Sequence, residues 1–210
     1  FHNGECTDVK RQCEYITKIL KANNINIKEF KRDIKMIMEQ KHNKINTLVL
    51  QGASNTGKSL MAKLITGGYN VGTVARSTES NNFIFQNLLG KTVGLMEEPF
   101  ITKMTVNDFK QLLGGERMEI GVKHRDREWL DRLPIICTTN DEQLADRCNS
   151  IDCKAINNRC IYYRLTTPII YGRSGNVQRE HSGYIVEFDG YICARGWRAW
   201  WDTTSEQESE

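Results

Sequence analysis

The chain has 210 residues, 39% hydrophobic and 26% charged, which is ordinary for one sizeable soluble α/β domain with a small helical appendage. No apolar run approaches the ~20 residues of a membrane span, and nothing at the start resembles a signal peptide, which in a chain that begins at Phe1 says little about a longer parent. A net charge of +3, with an acidic tail over 205–210 offsetting a more basic body, permits nucleic-acid binding without establishing it.

The first residue is Phe1 rather than Met, as in a piece excised from something longer. Residues 1–45 read as helical, with Val9, Cys13, Ile16, Ile19 and Leu20 three or four apart. Asn23-Asn24 breaks the pattern, and Ile27, Phe30, Ile34, Ile37 and Met38 resume it. Lys and Glu crowd the opposite face. Two readings stand: a helical lid on its own domain, or a collar that contacts neighbouring subunits.

Thr47 to Leu50 is a short apolar run of β-formers. It is followed by Gly52, Ala53, Ser54, Asn55, Thr56, Gly57, Lys58 and Ser59, then by Leu60, Met61, Leu64 and Ile65 at helical spacing. Strand, glycine loop and helix together form the context in which G-x-x-x-x-G-K-[ST] binds phosphate. The glycines let successive N–H groups turn inward, and the helix N-terminus adds its positive dipole end. Lys58 is then expected to reach the β- and γ-phosphates of ATP, and the Ser59 hydroxyl to complete a Mg²⁺ shell.

Gly67-Gly68 stops that helix, Tyr69 to Val74 is a strand candidate, and 82–89 reads as a short helix or loop. Residues 91–98, KTVGLMEE, form an apolar strand ending in Glu97 and Glu98. Glutamate pairs are common on surfaces. At the end of a parallel strand beside a phosphate loop, however, the first carboxylate would hold Mg²⁺ through water and the second would polarise the attacking water.

Thr105 and Asp108 read as a capping box opening a helix that ends at Gly114-Gly115. Met118 to Val122 alternates, a charged stretch follows over 123–128, and Trp129-Leu130 returns to the core. That is a hairpin carrying cations at its tip, or else a solvated loop. Residues 133–140, LPIICTTN, form another buried strand ending in an amide.

In 154–165, KAINNRCIYYRL, Arg159 stands at the turn into a strand. Further on, 184–188 and 191–194 flank Asp189-Gly190 as a two-residue hairpin. Trp197, Trp200 and Trp201 either stack on bases or anchor the terminal segment, and anchoring is the expectation. The seven cysteines are scattered with no C-x-x-C pair. Cys148, Cys153 and Cys160 come nearest to a metal cluster but lack histidines at ligand spacing, so free thiols in a reducing compartment are expected.

The order GASNTGKS, VGLMEE, KQLLGGERMEIGVKH and LPIICTTN resembles a superfamily 3 viral helicase, most closely the helicase domain of parvoviral (densovirus-like) non-structural replication proteins. The resemblance covers about 46–166. The third motif is its most specific part, and the Glu97-Glu98 pair is similar to the parvoviral rather than the papillomavirus-like branch. Ala53 departs from the proline that many parvoviral loops carry after the first glycine, which leaves the phosphate chemistry untouched.

The resemblance implies an α/β, AAA+-like P-loop fold with a central, mostly parallel sheet flanked by helices. It implies an ATP-dependent DNA helicase motor that uses Mg²⁺, assembles as a homo-oligomeric ring, likened to a hexamer, and works in the host cell nucleus on single-stranded and forked duplex DNA. Residue by residue, Lys58 and Ser59 would bind phosphate and Mg²⁺, and Glu97 and Glu98 would serve metal and water. Asn140 would orient water against the γ-phosphate. Lys123 and His124 would tip a hairpin in a central channel, and Arg159 would be the finger acting on a neighbour's ATP. The expected organisation is a helical segment over 1–45, the ATPase core over 46–172 and a C-terminal segment over 173–210. The competing readings are a packaging or remodelling ATPase, separated by whether DNA stimulates hydrolysis, and a non-hydrolytic oligomerisation module, which would bind ATP without turnover.

Overall fold

The computed structural model describes residues 9–74, 83–171, 186–188 and 194–203. Helices α1 (Val9–Ala22) and α2 (Ile27–Met38) bury the apolar stripes read from the sequence, with Ile16, Ile19, Phe30 and Ile37 fully enclosed. Each such burial contributes on the order of 1.5–3 kcal/mol. The break between them is built from asparagines. Asn24 takes a left-handed φ of 54°, and the Asn26 side chain accepts from the amides of Lys28 and Glu29 to cap α2. Asn23 reaches across the fold, where its Oδ1 accepts from the amides of Thr166 (2.6 Å) and Thr167 (2.9 Å).

The centre is a sheet of β1 (Thr47–Gln51), β2 (Val71–Thr73), β3 (Val93–Glu97), β6 (Ile135–Thr139) and β7 (Cys160–Arg164). Its order is β2-β3-β6-β1-β7 and every pairing is parallel. β1 and β6 are buried at every residue, as central strands covered on both faces must be. Leu48, Leu50 and Ile136 face a cluster built with α1, α2, α3 (Lys58–Thr66) and α6 (Ala194–Asp202). Val49, Ile135 and Cys137 face the other, built with α4 (Val106–Gly114), α5 (Ser150–Asn157) and the antiparallel hairpin β4 (Met118–Ile120)–β5 (Glu128–Leu130). The chain leaves β1 toward β2 on one side and leaves β6 toward β7 on the other. The crevice outside the carboxyl ends of β1 and β6 is therefore the sheet's topological switch point.

Several sequence expectations need correction. Val186–Phe188 forms β9, which pairs in parallel with β8 (Ile169–Tyr171), a partner not expected from the sequence. Of the supposed return strand, 191–193 lie outside the described residues with 189–190, and Ala194 opens α6. Helix α4 starts where expected, yet the Thr105 side chain does not cap it. Its Oγ1 accepts from the Thr102 amide at 3.1 Å, a turn that competes with the capping box. Helix α5 was not anticipated at all. In 82–89 the chain makes a 3-10 turn at Gln86–Leu88, with Asn82 outside the described residues.

The terminal tryptophans anchor α6 on the two leading helices. Trp200 is 3% exposed, its indole N–H donates to Thr17 Oγ1 at 3.0 Å, and it stacks on Trp197 with ring centroids 5.0 Å apart. The Lys31 ammonium lies 4.0 Å from the Trp200 ring centre and donates to the terminal carbonyls of Trp200 and Trp201; burial pushes its pKa down to about 8. Trp200→Ala should cost about 3–5 kcal/mol, read as a lowered urea midpoint with an unchanged m-value. An unshifted midpoint would show that α6 is not part of the cooperative unit.

Candidate functional site

The loop leaving β1 turns at Gly52 (φ 152°) and Gly57 (φ 90°), where side chains are excluded as much by space as by conformation. A Cβ on Gly52 would run into the Leu165 carbonyl, and one on Gly57 would come within 2.6 Å of Ile169 Cδ1. Asn55 also adopts a left-handed φ of 62°, and its carbonyl accepts from the Ile169 amide at 2.7 Å. Inside the loop, Thr56 Oγ1 donates to the Ala53 carbonyl at 2.9 Å. No side chain caps α3 at Gly57, so its first turn presents amide donors and the positive dipole end to the crevice. Ala53, Ser54, Asn55 and Ser59 are exposed there.

Lys58 is only 6% exposed, although it is the motif's cation. Its ammonium donates to the Ala53 carbonyl at 2.6 Å and to Asn140 Oδ1 at 2.8 Å. Burial lowers its pKa, and the nearby Glu98 carboxylate pulls the other way. Glu98 follows β3 at φ 49°; its amide donates to the Thr138 carbonyl and its Oε2 accepts from the Asn140 amide at 3.0 Å. Lys58, Glu98 and Asn140, from three neighbouring strand ends, therefore form one connected cluster at the switch point. Glu97 ends β3 in register with Thr138 and is exposed.

Three expected residues stand apart from that cluster. Arg159 precedes β7, whose register with β1 sets Cys160 beside Thr47 and Arg164 beside Gln51. Arg159 is thus at the far edge of the sheet, roughly 16 Å from the loop end at ~3.3 Å per residue. Its side chain is 15% exposed, Nη1 donates to the Ala155 carbonyl at 2.6 Å, and Nη2 lies 3.8 Å from Glu116 Oε1. Its Nε is buried with no hydrogen-bond partner. Lys123 and His124 are exposed at the hairpin tip, with His124 at φ 60° and the Lys123 amide donating to Gln86 Oε1 at 3.2 Å. Behind them, Arg125–Glu128 and Arg127–Glu119 pair at 3.6 Å, leaving the two tip residues to lead.

Sequence reading missed a second layer. Gln51 Nε2 donates to the carbonyls of Asp141 (2.8 Å) and Glu142 (2.6 Å), just beyond Asn140, and Gln51 Oε1 accepts from Arg164 Nε at 2.9 Å. This braces the turn that carries Asn140 and sets a cation on the loop's own edge. The available signal was an amide ending TLVLQ and an arginine ending CIYYR. At the other edge, fully buried Asn46 donates to the Leu133 carbonyl at 2.7 Å and accepts from Arg132 Nε at 3.0 Å, clasping the hairpin's foot.

For a metal, the edge supplies the exposed Ser59 hydroxyl and Glu97 carboxylate, and no group of three His, Cys, Asp or Glu among the described residues is arranged as a cage. This donor set fits Mg²⁺, which takes one or two protein oxygens with phosphate and water completing the shell.

Comparison with known proteins places the chain in a family and its fold among solved relatives. The sequence model of the family described as parvovirus non-structural protein NS1 matches residues 1–144. The initiator protein NS1 of Aedes densonucleosis virus is 34% identical over 140 residues, 66% of this chain and 16% of that protein. That of a porcine parvovirus is 29% identical over 126 residues, 60% of this chain and 19% of the relative. The chain spans less than a fifth of the length of such relatives. Among solved structures, a complex of the JCV helicase with a thiazolopyridine acetamide aligns over 78% of this chain and 46% of its own with TM-score 0.59 at 14% identity. The C-terminal region of NrS-1 aligns over 72% and 37% with TM-score 0.51 at 16% identity. At those identities the likeness is one of fold: a P-loop domain with helices flanking a parallel sheet.

Proposed function

The chain belongs to the parvovirus non-structural protein NS1 family, and from that premise we propose that it is the ATP-driven motor that moves a replication initiator along DNA. The observation that carries the proposal is the Lys58–Asn140–Glu98 cluster at the switch-point crevice, directly below a capless, glycine-turned helix N-terminus.

The cluster satisfies its own polar groups. Lys58 is paired with the loop's own carbonyl and with Asn140. A triphosphate entering the loop offers Lys58 a stronger, charge-assisted partner. Lys58 then leaves Asn140 Oδ1, which becomes free to accept from the attacking water. Glu98, tied to the same residue through the Asn140 amide, would take the water's proton. Mg²⁺ held by Ser59 and Glu97 would neutralise charge on the phosphate oxygens. Within the cluster Lys58 is the cation, the Arg164 guanidinium at the same edge is engaged by Gln51, and Arg159 lies on the opposite edge. A neighbouring copy packed edge to edge would bring its Arg159 to this crevice, so hydrolysis would depend on a closed ring, of which a hexamer is the expected size. Host-cell nuclear action follows from the replication role by the same reasoning.

Coupling to DNA is assigned to the hairpin. Lys123 contributes charge for any sequence, and His124 donates to phosphate or packs on sugar, so grip does not depend on base identity. Single-stranded DNA and the fork of a duplex are the corresponding substrates. Lys123→Ala should weaken binding about equally for all sequences and reduce the slope of log affinity against log salt by roughly one unit per engaged subunit. His124→Ala should slow strand separation of a forked duplex. A solvated surface loop would leave affinity, salt slope and unwinding as in the wild type, and that outcome would remove the DNA assignment.

A further inference from the structure

The hairpin's foot and Arg159 meet. Helix α4 ends at Gly114, Gly115 turns the chain with a left-handed φ of 69°, and Glu116 leads directly into β4. The Arg159 side chain lies across this foot: a Cβ placed on Gly114 would sit 3.0 Å from Arg159 Nε and 3.6 Å from Glu116 Oε1. The guanidinium is thereby drawn inward. One nitrogen serves the Ala155 carbonyl of its own preceding helix, another faces the Glu116 carboxylate at 3.8 Å, and Nε is buried unsatisfied. A guanidinium has five donors, and a buried orphan among them marks a pose that is held rather than optimal. The Glu116 side chain is itself 57% exposed, so its hold is the modest one of an exposed pair.

We infer that Glu116 is a positioning residue that keeps Arg159 withdrawn against the hairpin's foot, so that displacement of the hairpin by DNA releases the guanidinium toward the neighbouring subunit's nucleotide. The inference rests on the reading of Arg159 as a group acting in trans. It accounts for three things at once: a finger residue that is mostly buried, an unpaired Nε, and a glycine at a helix position where a methyl group would press on that nitrogen. It also gives DNA contact at Lys123 and His124 a short covalent path to the chemistry, because Glu116 and the tip residues belong to the same hairpin.

The test is steady-state ATPase of the whole chain with and without saturating oligodeoxythymidylate, for the wild type, Glu116→Gln and Gly114→Ala. Glu116→Gln keeps the shape and removes the charge. Gly114→Ala leaves every charge in place and presses on Arg159 Nε, which must give way by a few tenths of an ångström and so holds its withdrawn pose less well, while a helix tolerates alanine better than glycine. Both should raise the DNA-free rate by about two- to fivefold, the range of an exposed ion pair, and lower the ratio of stimulated to unstimulated rate accordingly. Glu116→Asp, which retains the carboxylate, should lie between them and the wild type. An unchanged ratio, including one in which both rates fall together, overturns the inference and reduces Glu116 to a structural contact. If the wild type itself is not stimulated by DNA, the proposed function fails first and the inference with it.

Discussion

The Lys58→Ala protein should fold normally and lose ATP turnover by at least about 10²–10³-fold, the usual effect of deleting one preorganised donor to a developing charge. Folding is expected to survive because the Lys58 ammonium serves the loop rather than the apolar core. Its partners are the Ala53 carbonyl and Asn140 Oδ1, both on exposed residues that water can serve in its place. Removing a cation whose ionisation is already disfavoured by burial carries little stability cost. The complementary change, Glu98→Gln, should keep ATP bound and block hydrolysis. The amide preserves the contact to the Asn140 N–H and removes only the charge that accepts a proton. Nucleotide affinity and single-turnover hydrolysis, measured on the same preparations, separate the two. Wild-type turnover in Lys58→Ala would end the nucleotide-site assignment, and loss of ATP binding in Glu98→Gln would give Glu98 a different role.

Arg159→Ala should bind ATP nearly as the wild type and hydrolyse it on the order of 10³-fold more slowly, as for other arginine fingers. Stability should change little. The side chain is partly buried, but it carries an unsatisfied Nε whose removal offsets lost contacts. The diagnostic form of the experiment mixes Arg159→Ala with Lys58→Ala subunits. Each variant alone is inactive, yet a mixed ring contains interfaces that have both residues intact, and activity should partly return. Absence of recovery at every mixing ratio, in rings shown to exchange subunits, would place Arg159 outside the chemistry of a neighbour.

Much of the core was legible because central parallel strands are written as continuous apolar runs. VLVL-like stretches ending in functional residues gave β1, β3 and β6 with the loops that follow them, and the glycine motif fixed the strand–loop–helix unit. The hairpin of 118–130 was legible from its alternation. Helix α5 was not, because among its residues only Ile156 is buried, so there was no apolar stripe to read. Its signal was local instead: Asn149 accepts from the Asp152 amide at 2.8 Å, a cap pair visible as N-x-x-D. The parallel pairing of β9 with β8 was not legible, because a partner 17 residues earlier, Ile169 for Val186, has no local signature.

The candidate site divides in the same way. The positions of Lys58, Glu97, Glu98 and Asn140 at strand ends followed from motif order. The ties that make three of them one cluster, and the Gln51–Arg164 brace beside it, join residues 82, 42 and 113 apart and leave no trace in spacing. The contact between Arg159 and Glu116 is of this kind too.

The most direct test of the account is the ATPase rate per subunit measured across protein concentration, with and without single-stranded DNA. Catalysis completed by a neighbour's Arg159 requires the rate per subunit to climb from near zero as subunits assemble, and a motor gripping DNA through Lys123 and His124 requires DNA to raise it further at the plateau. A rate per subunit that is constant with concentration and indifferent to DNA would contradict the account, and ATP binding with no turnover at any concentration would mark a nucleotide-dependent assembly module instead.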